Sequence, residues 1–268
     1  MLFVYQPGDS FMHRMDSVSK FIWMITMTAI VVVATRAVEN LVVFLWLLFV
    51  GTLLSGFRLT YMLRRILPLT IVATWLLVII FIFYPRGVTP LATIGPLHLT
   101  LEGLDYGFAL FLRVLCLGTV SVIFALTTNP RRMINEMIEI GHLPYRWAYA
   151  LYAALRFVPL LQTEARNIMN AHAVRGAAEK KSSAFDVFRP IMRLTLPLLA
   201  GGIRRVQITA IAMDSRAFGA FPKRTNIDPI QAPLSGRIFM MVHLVIFVAL
   251  LIWHLFFGGG SLISPIVT

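Results

Sequence analysis

The stretch that decides the fold class is Ile-Phe-Met-Met-Val-His-Leu-Val-Ile-Phe-Val-Ala-Leu-Leu-Ile-Trp-His-Leu-Phe-Phe, residues 238–257. It contains no Asp, Glu, Lys or Arg, and its length is that of a helix crossing a hydrocarbon core about 30 Å thick. Further apolar runs of spanning or near-spanning length lie at 20–35, 40–57, 66–84 and 106–127. Five clear spans are therefore expected. A shorter run, Trp147 to Leu161, contains Arg156 and Pro159. Two readings of it stay open, a tilted sixth span or an interfacial helix, so the expectation is an all-α integral membrane protein with five to six transmembrane helices.

Composition agrees. The 268 residues are 58% hydrophobic and only 13% charged, against about a quarter charged in soluble domains. The net charge of +12 would point to nucleic acid in a soluble protein; here the excess of Lys and Arg in inner loops explains it, and no nucleic-acid partner is expected. The single cysteine, Cys116, lies in an apolar run and excludes an intrachain disulfide framework. Asp9, His13, Arg14, Asp16 and Lys20 precede the first apolar run and no small-residue cleavage site follows it, so that run is expected to stay as a span rather than act as a signal peptide.

Charge sets the expected orientation. Arg58, Arg64 and Arg65 lie between the second and third runs. Segment 129–235 carries 15 Lys and Arg against 7 Asp and Glu, while the connections at 36–39 and 85–105 are nearly neutral. The N-terminus and segment 129–235 are thus expected on the cytoplasmic side. The expected organisation is a transmembrane region at 1–128, a cytoplasmic-side helical region at 129–235, and a last span with its tail at 236–268. Within 129–235, apolar residues recur at spacings of three and four, as in Ile203, Val206, Ala210 and Met213, which makes apolar stripes on helices. Pro190, Pro197 and Gly201-Gly202 punctuate the segment, and breaks are expected at 176–183 and near 201.

Several chemistries are missing from the sequence. It has no G-x-x-x-x-G-K-[ST] loop, H-E-x-x-H motif, Cys/His cluster or G-x-S-x-G elbow. The six histidines are scattered and read as structural, and no metal site or catalytic residue is expected. The expected spans hold no paired carboxylates of the kind that mark ion paths. Arg113, the one charge well inside a run, reads either as a functional residue or as one that pairs with Glu102 or Asp105 or snorkels.

Two arginine tripeptides stand out: Val174-Arg175-Gly176 and Ser215-Arg216-Ala217. Each follows a helix-like, alanine-containing stretch. Small neighbours beside the guanidinium let another backbone come close, and its planar fork of donors suits a carboxylate or a row of carbonyls.

The order of motifs along the chain adds to this. Ser10-Phe11-Met12-His13-Arg14-Met15-Asp16-Ser17-Val18-Ser19-Lys20 resembles the S-x-x-H-x-L-D-P-R-x-K entry of the T component of energy-coupling factor (ECF) transporters. Glu102-Gly103-Leu104 resembles that family's E-G-L. Thr127-Thr128-Asn129-Pro130 is similar to its T-T-x-P, and Leu155-Arg156-Phe157-Val158-Pro159 to its L-R-F-[IV]-P. Residues 171–176 and 212–216 are similar to its two alanine-and-arginine motifs. The matches run in family order from residue 10 to about 225. The sequence departs at Ser17-Val18-Ser19, at Val174, and at Ala217, where the family has glycine. A helix ending that needs positive φ suits alanine poorly.

The resemblance implies a non-catalytic coupling subunit of an ATP-driven importer of a vitamin or transition-metal ion, in a prokaryotic plasma membrane. Its implied partners are two cytoplasmic ABC-type ATPases, which bind ATP and Mg²⁺, and a small membrane S component that binds the solute; this chain itself is expected to carry no cofactor. The resemblance makes Arg175 and Arg216 the ATPase contacts, flanked by Val174, Gly176, Ser215 and Ala217. His13, Asp16, Lys20, Glu102, Gly103, Arg156 and Pro159 are motif residues to which it gives no role. A stand-alone channel or secondary carrier, and a membrane scaffold, remain the alternatives.

Overall fold

The computed structural model describes residues 5–84, 90–94, 97–174, 188–221 and 233–256. The helices are α1 (Phe11–Arg14), α2 (Ser17–Val33), α3 (Ala37–Phe49) with a π-helical turn at Val50–Leu54, and α4 (Leu59–Phe83). They continue with α5 (Leu101–Thr127), α6 (Pro130–Glu139), α7 (Tyr145–Val174), α8 (Phe188–Asp214) and α9 (Leu234–Phe256). Residues up to Glu136 form one compact unit together with α9, and residues from Met137 to Ile230 belong to a second.

The first unit is an all-α membrane bundle. Four of its helical stretches are long and apolar enough to cross a bilayer: Ala37–Leu54, Leu59–Phe83, Leu101–Thr127 and Leu234–His254, with the shorter apolar Ser17–Val33 beside them. Its outward faces carry Ile71, Trp75, Phe83 and Val245, each about two-thirds exposed or more. Water would make such patches aggregate, whereas lipid tails make them ordinary surface.

Helix ends are the main difficulty in such a bundle, because the last carbonyls of a helix have no partner within it and lipid supplies none. α2 and α5 solve this reciprocally. Lys20, one turn into α2, donates from Nζ to the carbonyl of Thr127, the last residue of α5, at 3.0 Å. At the other end Arg113 of α5 donates from Nη2 to the carbonyl of Ala34, the C-cap of α2, at 2.8 Å. Asn40 Nδ2 donates to the same carbonyl at 3.0 Å. Each cation lies at the negative end of the opposite helix. Arg113 thus acts as a cap inside the bundle.

α4 and α5 meet along a row of glycines. Leu69 fits against Gly118, and the carbonyl of Leu77 lies 3.2 Å from where a Cβ on Gly107 would sit. A Cβ on Gly103 would lie 3.0 Å from Cβ of Tyr84. Met62 fills the notch left by Gly51 in the π-turn. Small residues allow this close approach, which carries helix association where no hydrophobic force between helices exists. The Gly103 of the Glu102-Gly103-Leu104 motif therefore has a packing role. Around the seam Met12, Met15, Trp23, Met27, Leu47, Val50 and Ile123 form the core. α9 is fastened by His243: Trp46 Nε1 can only donate and does so to His243 Nε2 at 3.1 Å, so Nδ1 carries the proton toward the Phe239 carbonyl at 2.8 Å.

Two features differ from the sequence expectation. The connection at 85–105 contains a short antiparallel hairpin, β1 (Pro90–Ile94) with β2 (Leu97–Thr100), with a register shift between Pro90 and Ala92. Strands this short leave too few alternations to read. In the second unit α8 runs unbroken through Pro190, Pro197 and Gly201-Gly202, so the expected break near 201 is absent. Pro190 lies in the first turn, where its missing N–H has no acceptor to lose. A glycine within a helix costs about 1 kcal/mol relative to alanine, too little to end a long one. α7 likewise continues through Pro159. The expected break at 176–183 lies outside the described residues.

Replacing Gly107 by leucine is expected to push α5 away from the Leu77 carbonyl and destabilise the bundle by about 1–3 kcal/mol. A lowered unfolding midpoint in detergent would be the measurement, with Ala109→Gly as a control for general loosening.

Candidate docking site

The second unit contains a pair of helices and the turn that ends the second of them. α7 and α8 run in opposite directions. Tyr145, Arg146 and Tyr149 of α7 lie against the turn after α8, and Glu164 faces Arg205 at 3.7 Å. That half-exposed pair adds little energy. Gly202 meets Leu161 at 3.8 Å from its would-be Cβ.

The Ser215-Arg216-Ala217 turn has a defined cap. Phe218 N–H donates to the Met213 carbonyl at 3.0 Å, and Ala217 N–H donates to the Asp214 carbonyl at 3.0 Å. This is a Schellman ending, with Arg216 as the C-cap and Ala217 at the following position. That position requires a left-handed backbone, and Ala217 has φ +57°. A second reversal follows at Gly219, φ +93°. The motif's missing glycine thus falls where glycine is favoured, and alanine there costs about 1 kcal/mol. The α-helix ends at Asp214, and Arg216 lies in the cap.

The strained turn is held from α7. The Phe218 ring packs on Tyr149 at 4.8 Å and edge-on to Tyr145 at 5.8 Å. Tyr145 Oη donates to the Phe221 carbonyl at 2.9 Å, and Arg146 Nη2 to the Gly219 carbonyl at 3.2 Å. These clamp residues carried no sequence signal for this role, because their partners are about 70 residues away or more. Ser215, Arg216 and Ala217 are themselves exposed. Among the described residues no hydrogen bond or ion pair of the Arg216 guanidinium occurs, so a rigid turn presents a free cation.

The first tripeptide is described only at Val174, the last residue of α7, which is 89% exposed. Arg175 and Gly176 lie outside the described residues. α7 has 30 residues, about 45 Å at 1.5 Å per residue. Its start abuts the Arg216 turn and its end is Val174, so the two tripeptides belong to opposite ends of one helix pair.

The remaining motif residues divide into two groups. Arg156 and Pro159 are exposed on α7, and Glu102 is half-buried in the first turn of α5. His13, Asp16 and Lys20 are buried in the first unit. Asp16 caps α2 by accepting from Ser19 N–H at 2.9 Å. His13 lies 2.6 Å from Ser10 Oγ through Nδ1 and 3.0 Å from the Gln6 carbonyl through Nε2. Burial holds its pKa below the usual 6.5, with the Gln6 carbonyl acting against it. The sequence reading missed Glu136 of α6, which is fully buried; it pairs with Arg132 Nε at 2.6 Å and accepts from Ser17 N–H. The Arg132/Glu136 spacing of four was visible, but not the burial.

The described helices define a multi-pass α-helical membrane protein with a second helical unit that presents an exposed basic cap. A family model described as "Cobalt transport protein" matches residues 8–227. The chain is 30% identical over 229 residues to the energy-coupling factor transporter transmembrane protein EcfT of Streptococcus thermophilus, covering 83% of this chain and 86% of that protein. It is 29% identical to the protein of that name from Thermosediminibacter oceani, covering 85% and 87%. For Brevibacillus brevis the identity is 26%, over 93% and 96%. The chain belongs to the family of T components, the transmembrane proteins of energy-coupling factor transporters. It is a multi-pass protein of a prokaryotic membrane.

Two outcomes are expected. Ala217→Gly relieves the left-handed alanine by about 1 kcal/mol, which slows amide hydrogen exchange at 217–218 roughly fivefold; Phe218→Ala speeds it. The lowered His13 pKa means that the folded protein binds fewer protons than the unfolded chain below pH 6.5. Stability is therefore complete above that pH and falls as acidification passes through it. His13→Gln should flatten that slope in unfolding midpoints recorded from pH 7.5 down to pH 5 (about the range in which histidine titrates).

Proposed function

We propose that the chain is the energy-coupling subunit of an importer of a vitamin or transition-metal ion, joining two cytoplasmic ABC-type ATPases to an S component that binds the solute. The observation that carries this reading is the Arg216 turn: an exposed guanidinium, with no partner among the described residues, on a cap braced by Tyr145, Tyr149 and Arg146. A braced cation of this kind suits a carboxylate-lined groove, because little side-chain freedom is lost when it docks. The first tripeptide, which follows the other end of α7, gives the helix pair two separate grips, one for each ATPase.

In this reading Arg175 and Arg216 insert into the two ATPases, with Val174, Gly176, Ser215 and Ala217 flanking them. ATP and Mg²⁺ belong to those partners, and this chain performs no catalysis. The N-terminus and the second unit face the cytoplasm, in keeping with the charge distribution. Closure of the ATPase pair on ATP draws the two docked ends together. α7 and α8, rigid along their lengths, carry that motion to the surface that holds the S component, which reorients in the bilayer.

Tagged wild-type chain, purified from its own cells in mild detergent, is expected to bring down two P-loop ATPases and one small, very hydrophobic membrane protein, identified by mass spectrometry. Arg175→Ala with Arg216→Ala should lose the ATPases and retain the S component. Each loss should cost about 1.5–3 kcal/mol of ATPase binding where the partner carboxylate is buried. Full ATPase recovery with the double variant would overturn the assignment of these grips, and solute flux through the purified chain alone would favour a channel or carrier.

A further inference from the structure

Arg146 carries more charge than its place in the brace requires. It lies in the first turn of α7, is exposed, and spends one donor on the turn, from Nη2 to the Gly219 carbonyl at 3.2 Å. A guanidinium has several N–H donors, and among the described residues the Arg146 side chain makes no other hydrogen bond and no ion pair. The bond to Gly219 needs a donor, which a neutral side chain could supply. The charge also sits at the disfavoured end of its helix, because the N-terminus of α7 is the positive end of the helix dipole. Neither the turn nor the helix therefore accounts for a cation at 146.

A second cation lies on the same turn. Gly219 follows Arg216 by three residues, so their Cα atoms are within about 11 Å of each other. Arg216 is exposed, and its guanidinium has no partner among the described residues. Asp214, exposed at the end of α8, is the one carboxylate in residues 214–221, and among the described residues it pairs with neither arginine. Tyr145, Tyr149 and Phe218 hold the turn against the start of α7, so both arginines stem from one braced surface. Two cations beside a helix N-terminus suit a partner that offers more than one carboxylate. We propose that Arg146 is a second contact residue of the Arg216 docking site and meets a second carboxylate on the ATPase bound there. This rests on the coupling function proposed above.

The test uses the full chain in nanodiscs and the ATPases that co-purify with the wild type. Affinity is measured at low salt and at about 0.15 M, where the Debye length falls to about 8 Å. Amide hydrogen exchange at 217–219 in the same samples reports on the brace. Arg146→Gln is expected to weaken ATPase binding about fivefold at low salt, the scale of an exposed ion pair, and to flatten its salt dependence. Arg146→Lys, which keeps the charge, is expected to restore most of both. Tyr145→Phe removes the bond to the Phe221 carbonyl and leaves every charge in place, so exchange at the turn should speed up while the salt dependence stays that of wild type. Wild-type affinity and salt dependence in Arg146→Gln overturn the proposal. So do equal losses in Arg146→Gln and Arg146→Lys, or losses that follow the exchange rate across all three variants, which would make Arg146 a brace only. Should the wild-type chain bind no ATPase, the coupling function itself fails; a wild type that binds ATPase beside an unaffected Arg146→Gln removes this inference alone.

Discussion

The bundle depends on satisfying helix ends where there is no water. α2 and α5 lie antiparallel, and each supplies the cation that the other's C-terminus lacks: Lys20 for the Thr127 carbonyl, Arg113 for the Ala34 carbonyl. Without Lys20 the Thr127 carbonyl would be left unpaired in an apolar setting, a penalty of several kcal/mol, and the Ala34 carbonyl would keep only Asn40. The two caps also fix the relative register of the helices, because each reaches a carbonyl at a definite height. Once α2 and α5 are fixed, α4 docks on α5 through the glycines at 103, 107 and 118, and α9 docks on the other side through Gly236 and His243.

The two units solve different problems. The first caps the facing ends of α2 and α5 inside the bundle and shows lipid an apolar surface. The second does the reverse, exposing cations, carboxylates and caps along two long helices. One of its turns is strained: an alanine sits in a conformation glycine prefers, and aromatic packing from α7 restrains it. Strain of this kind persists only where the surroundings over-determine it, which is common at sites that bind something. The family's glycine would make the same turn at lower intrinsic cost but with more freedom in the unfolded chain.

Much of this was legible in the residues. Apolar length located the five runs, because a bilayer imposes a thickness that composition alone can match. Ordered short motifs marked the family, and the departure at Ala217 was visible as a glycine lost beside an arginine. Proline and glycine misled near residue 201: they mark breaks on average, yet Pro190 sits where a helix has no donor to lose and the two glycines are too weak a perturbation to end α8. The hairpin at 90–100 was invisible because its strands hold only five and four residues.

The sequence by itself determined that the chain is a helical membrane protein, where its apolar segments lie, and that Arg216 follows a polar helix. These follow from local composition and spacing, quantities that need no knowledge of what touches what. Only the tertiary structure decided that Arg113 is a cap, that Glu136 is buried against Ser17, that Tyr145 and Tyr149 brace the Arg216 turn, and that Gly236 packs on Met15. Each of these pairs residues roughly 70 to more than 200 positions apart. Their meeting is set by which helices pack together, and local periodicity carries no information about that.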